Sequence, residues 1–250
     1  MGKEFLKLEN KLVLDLEIEP LSPLIIKLGD GSEENSKNEK SESVISFVTS
    51  DSPRGNLVKY EKNEKKEDNR KGEIFIPGST LKGLFREKFN KIYDIKKENE
   101  LDFKEKNKNH KEVDNLFGWI EGEEAQKGRI FIEDAYLEKE ELRKNFYLKN
   151  IDEAFSEIIM KRDITPIDQF TGKAVVPLNY ECTMEKFETE LIINNISLEE
   201  IKNIFFILRD SHLGEIRLGN SKTRGFGQVK FNIKNMLIEN YRNKTEFVVN

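Results

Sequence analysis

The densest group of residues able to hold a ligand is Leu218-Gly219-Asn220-Ser221-Lys222-Thr223-Arg224-Gly225-Phe226-Gly227, glycines around two cations just ahead of an alternating apolar run. Glycine lets a backbone approach a phosphate and expose its N–H groups, while Lys222 and Arg224 supply charge and Thr223 a hydroxyl, so a phosphate chain is the natural ligand. The same residues also suit a tight helix-to-strand turn with solvated cations. Gly214 and Gly219 have P-loop spacing with Ser221 correctly placed, but Asn220 stands where that loop needs lysine, and the preceding segment reads as a helix. A nucleotide triphosphatase is therefore excluded.

A second candidate is Ile76-Pro77-Gly78-Ser79-Thr80-Leu81-Lys82-Gly83-Leu84-Phe85-Arg86. Pro-Gly stops a short apolar strand, and Ser79 and Thr80 are good N-cap residues, so a helix is expected to begin there. Free N–H groups at its start, with the Ser79 and Thr80 hydroxyls, Lys82 and Arg86, would make an anion site. Cap residues and surface lysines occur on most helices, and it is the pairing with the glycine loop that singles this one out.

Lys and Arg total 42 against 47 Asp and Glu, a formal net charge of -5, so a polyanion must be held by a local basic patch. One cysteine, Cys182, excludes an internal disulfide, and His110 and His212 leave too few soft ligands for structural zinc. A reducing cytoplasm fits that usage. No apolar stretch approaches the roughly 18 residues of a membrane span, and the start of the chain lacks the build of a signal peptide.

Several elements must position these residues. Lys11 to Glu19 alternates, with Leu12, Leu14, Leu16 and Ile18 on one side. After 72–76 comes a helix with Leu81, Leu84, Phe85, Phe89 and Ile92 on one stripe, fading by Asp94. A strand is expected over 129–136 after a turn region at 118–128, and another over 187–194. Ser197-Leu198-Glu199-Glu200 is a capping box opening a second helix, and Val229, Phe231 and Ile233 form a last strand. The order is strand, helix, strand, strand, helix, strand, which predicts one α+β, ferredoxin-like (RRM-like) βαββαβ palm. The open face of such a sheet, and the loops above it, commonly carry single-stranded RNA. Charged or breaker-rich segments at about 29–72, 94–114 and 149–181 read as insertions into this single domain of residues 1–250, the first two loose and the third a long irregular excursion.

Four segments in order carry a resemblance: Ile-Pro-Gly-Ser-Thr-Leu-Lys-Gly at 76–83, Arg-Ile-Phe-Ile-Glu-Asp-Ala-Tyr at 129–136, Ile-Asp-Gln-Phe-Thr-Gly-Lys-Ala at 167–174, and the glycine loop at 218–227. Together they resemble the RAMP superfamily, in particular the repeated backbone subunit of type III CRISPR effector complexes. The resemblance implies a palm that grips guide RNA and a thumb within 149–181 that wedges into the guide–target duplex. Its partners would be CRISPR guide RNA, complementary target RNA, copies of itself stacked head to tail, and other type III subunits. Carried over by motif, Ser79, Thr80, Lys82, Lys222, Thr223 and Arg224 would touch guide phosphates, and Phe170, Thr171 and Lys173 would bring the thumb to the RNA. Gln169 stands where relatives often show Arg, and Phe170 also suits a packed hinge.

The resemblance further implies target cleavage by an acidic residue between the first strand and the Pro-Gly-Ser helix, with a divalent metal, magnesium, assisting attack by the RNA 2′-hydroxyl. That stretch holds Asp30 in Leu-Gly-Asp-Gly-Ser and Asp51 in Ser-Asp-Ser-Pro, of which Asp51 is closer to the family's Asp-x-Pro pattern. Either can also be a solvated turn residue. Sliding Phe47 to Asp51 onto the strand ahead of the helix would instead put serine at the catalytic position and leave the subunit inactive. Two alternatives compete: a stand-alone guide-processing endoribonuclease of the same superfamily, which often uses His as acid or base, and a non-catalytic single-stranded RNA-binding module.

Overall fold

The computed structural model describes residues 7–26, 44–45, 73–97, 110–140, 142, 151–165, 167, 170, 178–241 and 245–249. Along the chain run β1 (Asn10–Pro20), β2 (Val44–Ile45), β3 (Phe75–Ile76), α1 (Gly78–Lys97), α2 (Lys111–Phe117), β4 (Gly118–Glu121), β5 (Glu124–Lys127), β6 (Ile130–Ile132) and β7 (Ala135–Leu137). They are followed by α3 (Ile151–Ile158), β8 (Met160–Ile164), β9 (Leu178–Cys182), β10 (Phe187–Asn194), α4 (Leu198–His212), β11 (Val229–Asn240) and β12 (Thr245–Val249). The chain is α+β, with an antiparallel main sheet ordered β12-β11-β1-β10-β7-β3 and β6 also paired to β10. This arrangement is compatible with a ferredoxin-like palm.

Alternation along β1 puts Leu12, Leu14, Leu16 and Ile18 into the core, each at most 1% exposed. The apolar stripe of α1 meets them with Leu81, Leu84, Phe85 and Phe89, and α4 adds Ile204, Ile207 and Leu208 to the same cluster. Phe85 reaches Phe231 of β11 with ring centroids 5.6 Å apart. The capping box at the start of α4 forms as expected, Ser197 accepting from the Glu200 amide while the Glu200 carboxylate accepts from the Ser197 amide.

Several boundaries differ from expectation. Helix α1 runs on to Lys97, and α2 begins inside the stretch expected to be loose, because Val113, Leu116 and Phe117 form an apolar stripe that packs on Phe89, with Phe117 at 5.4 Å. The expected turn region at 118–128 contains the hairpin β4–β5. The strand expected at 129–136 is divided into β6 and β7 by Glu133 and Asp134, and the Glu133 carbonyl there accepts from Thr189 Oγ1 at 2.7 Å. The excursion at 149–181 is not irregular throughout: it carries α3 and the antiparallel pair β8–β9, against which β2 lies parallel. Its proline and glycine breakers at 166, 172 and 177 fall between β8 and β9 rather than within them. Strand β11 is longer than the alternation at 229–233 suggests, and β12 follows it.

Candidate nucleic-acid interface

Two surfaces of the palm compete for a ligand. On the open face of the sheet, cross-strand pairing sets Asp15 opposite Glu190 and Glu17 opposite Glu188. A register shift beside Asp15 and Leu16 leaves Lys234 as the extra residue of β11, and a bulge of this kind re-aims its side chain. Lys234 lies 2.6 Å from Glu138 and 3.9 Å from Glu17, and it also donates to Glu188. Lys186 donates to Glu17 at 3.0 Å, and Asn232 bridges Glu17 and Glu19 at 2.8 and 3.0 Å. Burial, with the charges of Glu133 and Asp15, pushes the Glu190 carboxyl above its ordinary range. The centre of this face is an acidic lattice whose cations are engaged by its own carboxylates, which disfavours a phosphate backbone there, while Phe131, Tyr136 and Phe75 lie toward the β6, β7 and β3 side of the same face.

The other surface lies beside α1. Gly78 is required at its first residue, because a Cβ there would stand 2.3 Å from the Ile132 carbonyl oxygen. The Gly78 amide donates to Asp134 Oδ1 at 2.7 Å, and the Thr80 amide to the Pro77 carbonyl at 2.9 Å. Asp134 therefore caps the helix, which corrects the expectation that Ser79 or Thr80 does so. Both fall inside the first turn, Ser79 exposed and Thr80 half-buried. Lys82 is half-buried and its pKa is lowered, by burial first and then by the charge of Arg86. Arg86 is held by Asp114 at 2.7 Å.

The glycine loop is strapped to the chain that leaves β1. The Asn220 amide donates to the Ile25 carbonyl and the Gly227 amide to that of Pro23, both at 2.9 Å, while the Leu218 amide closes the loop on Gly227 at 2.7 Å. Side chains at Gly219 or Gly227 would collide with the carbonyls of Ile25 or Leu218 at 2.0 Å, and both have φ near +80°. These constraints hold up a single 3-10 turn, Lys222–Arg224, whose three side chains are exposed. Lys88 on α1 donates to the Glu215 carbonyl at 3.3 Å, which ties the helix to the segment entering the loop. The Glu87 carboxyl is lowered chiefly by the hydrogen bond from Lys91, with smaller contributions from the charges of Lys91, Lys222 and Lys88.

Beneath the loop lies a second small core of Ile25, Tyr180, Cys182 and Phe226, with Ile164 packed against it. The Tyr180 and Phe226 rings are 5.5 Å apart, the Arg162 guanidinium sits 5.0 Å over Phe226, and Arg224 donates to the Tyr180 hydroxyl. The pair β8–β9 is thereby fastened to the glycine loop. Sequence reasoning missed Asp134, Arg162 and Tyr180. Asp134 lay within the quoted 129–136 segment, while Tyr180 and Arg162 act only through the tertiary contact with Phe226.

Of the remaining sequence candidates, Phe170 is fully exposed, while Thr171, Lys173, Asp30 and Asp51 lie outside the described residues. His110 is engaged with Asp94 at 2.7 Å and His212 with the Phe231 carbonyl at 2.9 Å. Among the described residues no three His, Cys, Asp or Glu side chains converge as a metal would require, and no helix is long and apolar enough to cross a membrane.

No curated protein matches the chain. The sequence model of the RAMP superfamily matches residues 17–230, a span that runs from β1 to the start of β11 and takes in both the helix-start segment and the glycine loop. The chain belongs to the RAMP superfamily, and that membership supports a CRISPR-associated, RNA-binding role.

Proposed function

We propose that the chain is a guide-RNA-binding backbone subunit of a type III CRISPR effector complex acting in the cytoplasm, and that it grips RNA in the cleft between the start of α1 and the glycine loop. The observation that carries this reading is that two motifs about 140 residues apart in sequence are brought together, Lys88 of α1 donating to the Glu215 carbonyl in the segment that enters the glycine loop, while the cations at the centre of the open sheet face are engaged by its own carboxylates. The palm is read as βαββαβ, with β1, α1, β6–β7, β10, α4 and β11 in chain order and β11-β1-β10 flanked by β6 and β7 in the sheet. The thumb is read as the β8–β9 pair and the chain between them, and exposure of Phe170 suits contact with a duplex or a neighbouring copy. A guide-processing enzyme using His is disfavoured, since both histidines are engaged in structural contacts.

Sequencing the RNA that co-purifies with the protein tests the reading, because guide RNA carries CRISPR repeat sequence. Repeat-derived RNA is the expected result, and RNA of random cellular origin would leave only a general RNA-binding module. Target cleavage with magnesium belongs to this proposal through Asp51, with Asp30 the competing carboxylate; the described residues supply no metal site of their own. In the assembled complex, Asp51→Ala should leave guide binding intact and abolish regularly spaced cuts in a complementary RNA, and Asp30→Ala should not. Loss of cutting in Asp30→Ala alone would reassign the carboxylate, and no cutting by the wild-type complex with metal present would make the subunit a scaffold.

A further inference from the structure

Helix α4 buries one stripe and leaves a second, apolar one to solvent. Phe205, Phe206 and Leu213 are exposed on it, with Lys202 and Arg209 at helical spacing among them. Beside that stripe a groove of about 450 Å³ lies between α4 and β11. It is lined by buried Leu208 and Phe231, and by Phe205 and Ile233, which remain 41 and 39% exposed. Arg209 and His212 also line it, and among the described residues no carboxylate does. The Arg209 guanidinium lies 4.8 Å over the Phe206 ring and donates to Asp210 at 3.0 Å, and its other donors have no partner among the described residues.

One wall of the groove is a strand edge. The Phe231 amide donates to Ser211 Oγ at 3.0 Å, and its carbonyl accepts from His212 Nε2 at 2.9 Å, so the peptide groups of this residue face α4 and not β1. The Val229 amide, two residues earlier, donates on the same side to the Ile216 carbonyl at 3.1 Å. Strand alternation turns the peptide groups of Ile233 the same way. There α4 has already ended at His212, and β12 pairs with β11 only over Met236–Asn240, so among the described residues no element pairs with Ile233 on this side. An open edge beside an apolar groove suits an extended peptide, whose main chain bonds the edge while alternate side chains enter the groove. The cations decide its composition, because carboxylates next to an apolar anchor would meet Arg209. An RNA strand would need a row of cations along its phosphates, which one arginine does not supply.

We infer that the groove between α4 and β11 is a docking site for an extended segment of a different protein, one that carries an apolar anchor flanked by Asp or Glu. The anchor packs between Phe205 and Ile233, its backbone pairs with Ile233, and a neighbouring carboxylate meets Arg209. None of these residues belongs to the RNA-gripping set named above, so the inference does not rest on that reading.

The test pans the full chain against a displayed library of random twelve-residue peptides. Enriched peptides are then measured by fluorescence anisotropy on wild type, Phe205→Ser and Arg209→Ala, two substitutions at exposed helix positions whose melting temperatures check folding. The peptides should carry an aromatic or aliphatic residue next to Asp or Glu, and should bind at least tenfold more weakly to Phe205→Ser and at least fivefold more weakly to Arg209→Ala. Hydrogen exchange at the Ile233 amide should slow when they bind, and affinity for a single-stranded RNA 30-mer should stay within twofold in both variants. No enrichment, enrichment of basic peptides, or equal affinity for all three proteins would overturn the site, and Arg209→Ala alone decides this if Phe205→Ser does not fold. Loss of RNA affinity in the variants would assign the groove to RNA, and self-association that Phe205→Ser abolishes would assign it to a second copy; either result overturns the inference.

Discussion

On the open face of the sheet, Lys186 stands 3.0 Å from Glu17, Lys230 3.9 Å from Glu19 and Lys234 2.6 Å from Glu138; beside α1, Lys82, Lys222 and Arg224 make no ion pair among the described residues. The two regions use the same residue types. What separates them is backbone geometry. The paired strands present their outward side chains at cross-strand distance, and the bulge at Lys234 adds a cation among them, so acids and bases meet and neutralise one another. The glycine loop is held by main-chain bonds to Pro23 and Ile25, and its turn exposes Lys222 and Arg224, neither in an ion pair among the described residues although the charge of Lys222 is felt by Glu87 and Arg224 donates to the Tyr180 hydroxyl. A chain with net charge -5 thus keeps exposed cations on the glycine loop while those of the sheet face are engaged by its acids.

The largest expected effect comes from removing the support under that loop. Phe226→Ala empties the small core shared with Tyr180 and the Arg162 guanidinium, a change on the order of 3–5 kcal/mol for a buried Phe. Because this core is separate from the cluster under the sheet, far-UV circular dichroism should stay close to wild type at low temperature while RNA affinity drops more than tenfold. Phe75→Ala, which removes a half-buried ring stacked 5.9 Å from Tyr136 at the sheet edge, should leave RNA affinity unchanged. Equal effects of the two substitutions on RNA binding would erase the distinction between the regions.

Next in size is direct removal of charge. Lys222→Ala combined with Arg224→Ala should weaken RNA binding by roughly 1–3 kcal/mol, the scale of charge-assisted hydrogen bonds, and flatten its dependence on salt. Lys186→Ala combined with Lys234→Ala removes the same formal charge from the sheet face and should change affinity less than twofold. A filter-binding series at several salt concentrations decides the matter. Equal losses from both pairs would mean that the chain's overall field, and not the cleft, attracts RNA.

What could be read from the sequence divides along the same line. The alternation of Leu12 to Ile18, the α1 stripe through Phe89 and the Ser197–Glu200 capping box are written in local spacing, so their elements were legible. The helix α2 was hidden because Val113 stands among charged residues and its partner Phe89 lies across a long insertion. The Asp134 cap on Gly78 spans 56 positions, and the bulge that re-aims Lys234 depends on its register with β1. Glycines and cations of the cleft were visible as motifs, yet the reason for each glycine emerged only from the approach of Ile132, Ile25 and Leu218 carbonyls. The acidic cover of the sheet face was invisible until strand order set β10 and β11 on either side of β1.

The smallest effect tests whether the sheet lattice serves the fold alone. Burial pushes the Glu17 carboxyl up, but hydrogen bonds from Asn232 and Lys186 outweigh it and hold the pKa below the ordinary value of 4.5. A carboxyl lowered on folding adds stability that is fully present above the unfolded value and is lost as pH falls through the folded one. Glu17→Gln should therefore cost about 1 kcal/mol at neutral pH, and the difference from wild type should shrink as pH drops below about 4.5. Lys186, raised mainly by its hydrogen bond to Glu17, gives the mirror case: its contribution holds below the usual lysine value of 10.5 and fades as pH climbs through the raised one. Denaturant titrations from pH 3 to 8 would measure the acid limb, and RNA affinity at neutral pH should stay within twofold because the proposed RNA path does not cross this lattice. A Glu17→Gln chain that bound RNA markedly better would show instead that the lattice acts as a repulsive guard, turning the strand away from the sheet and into the cleft.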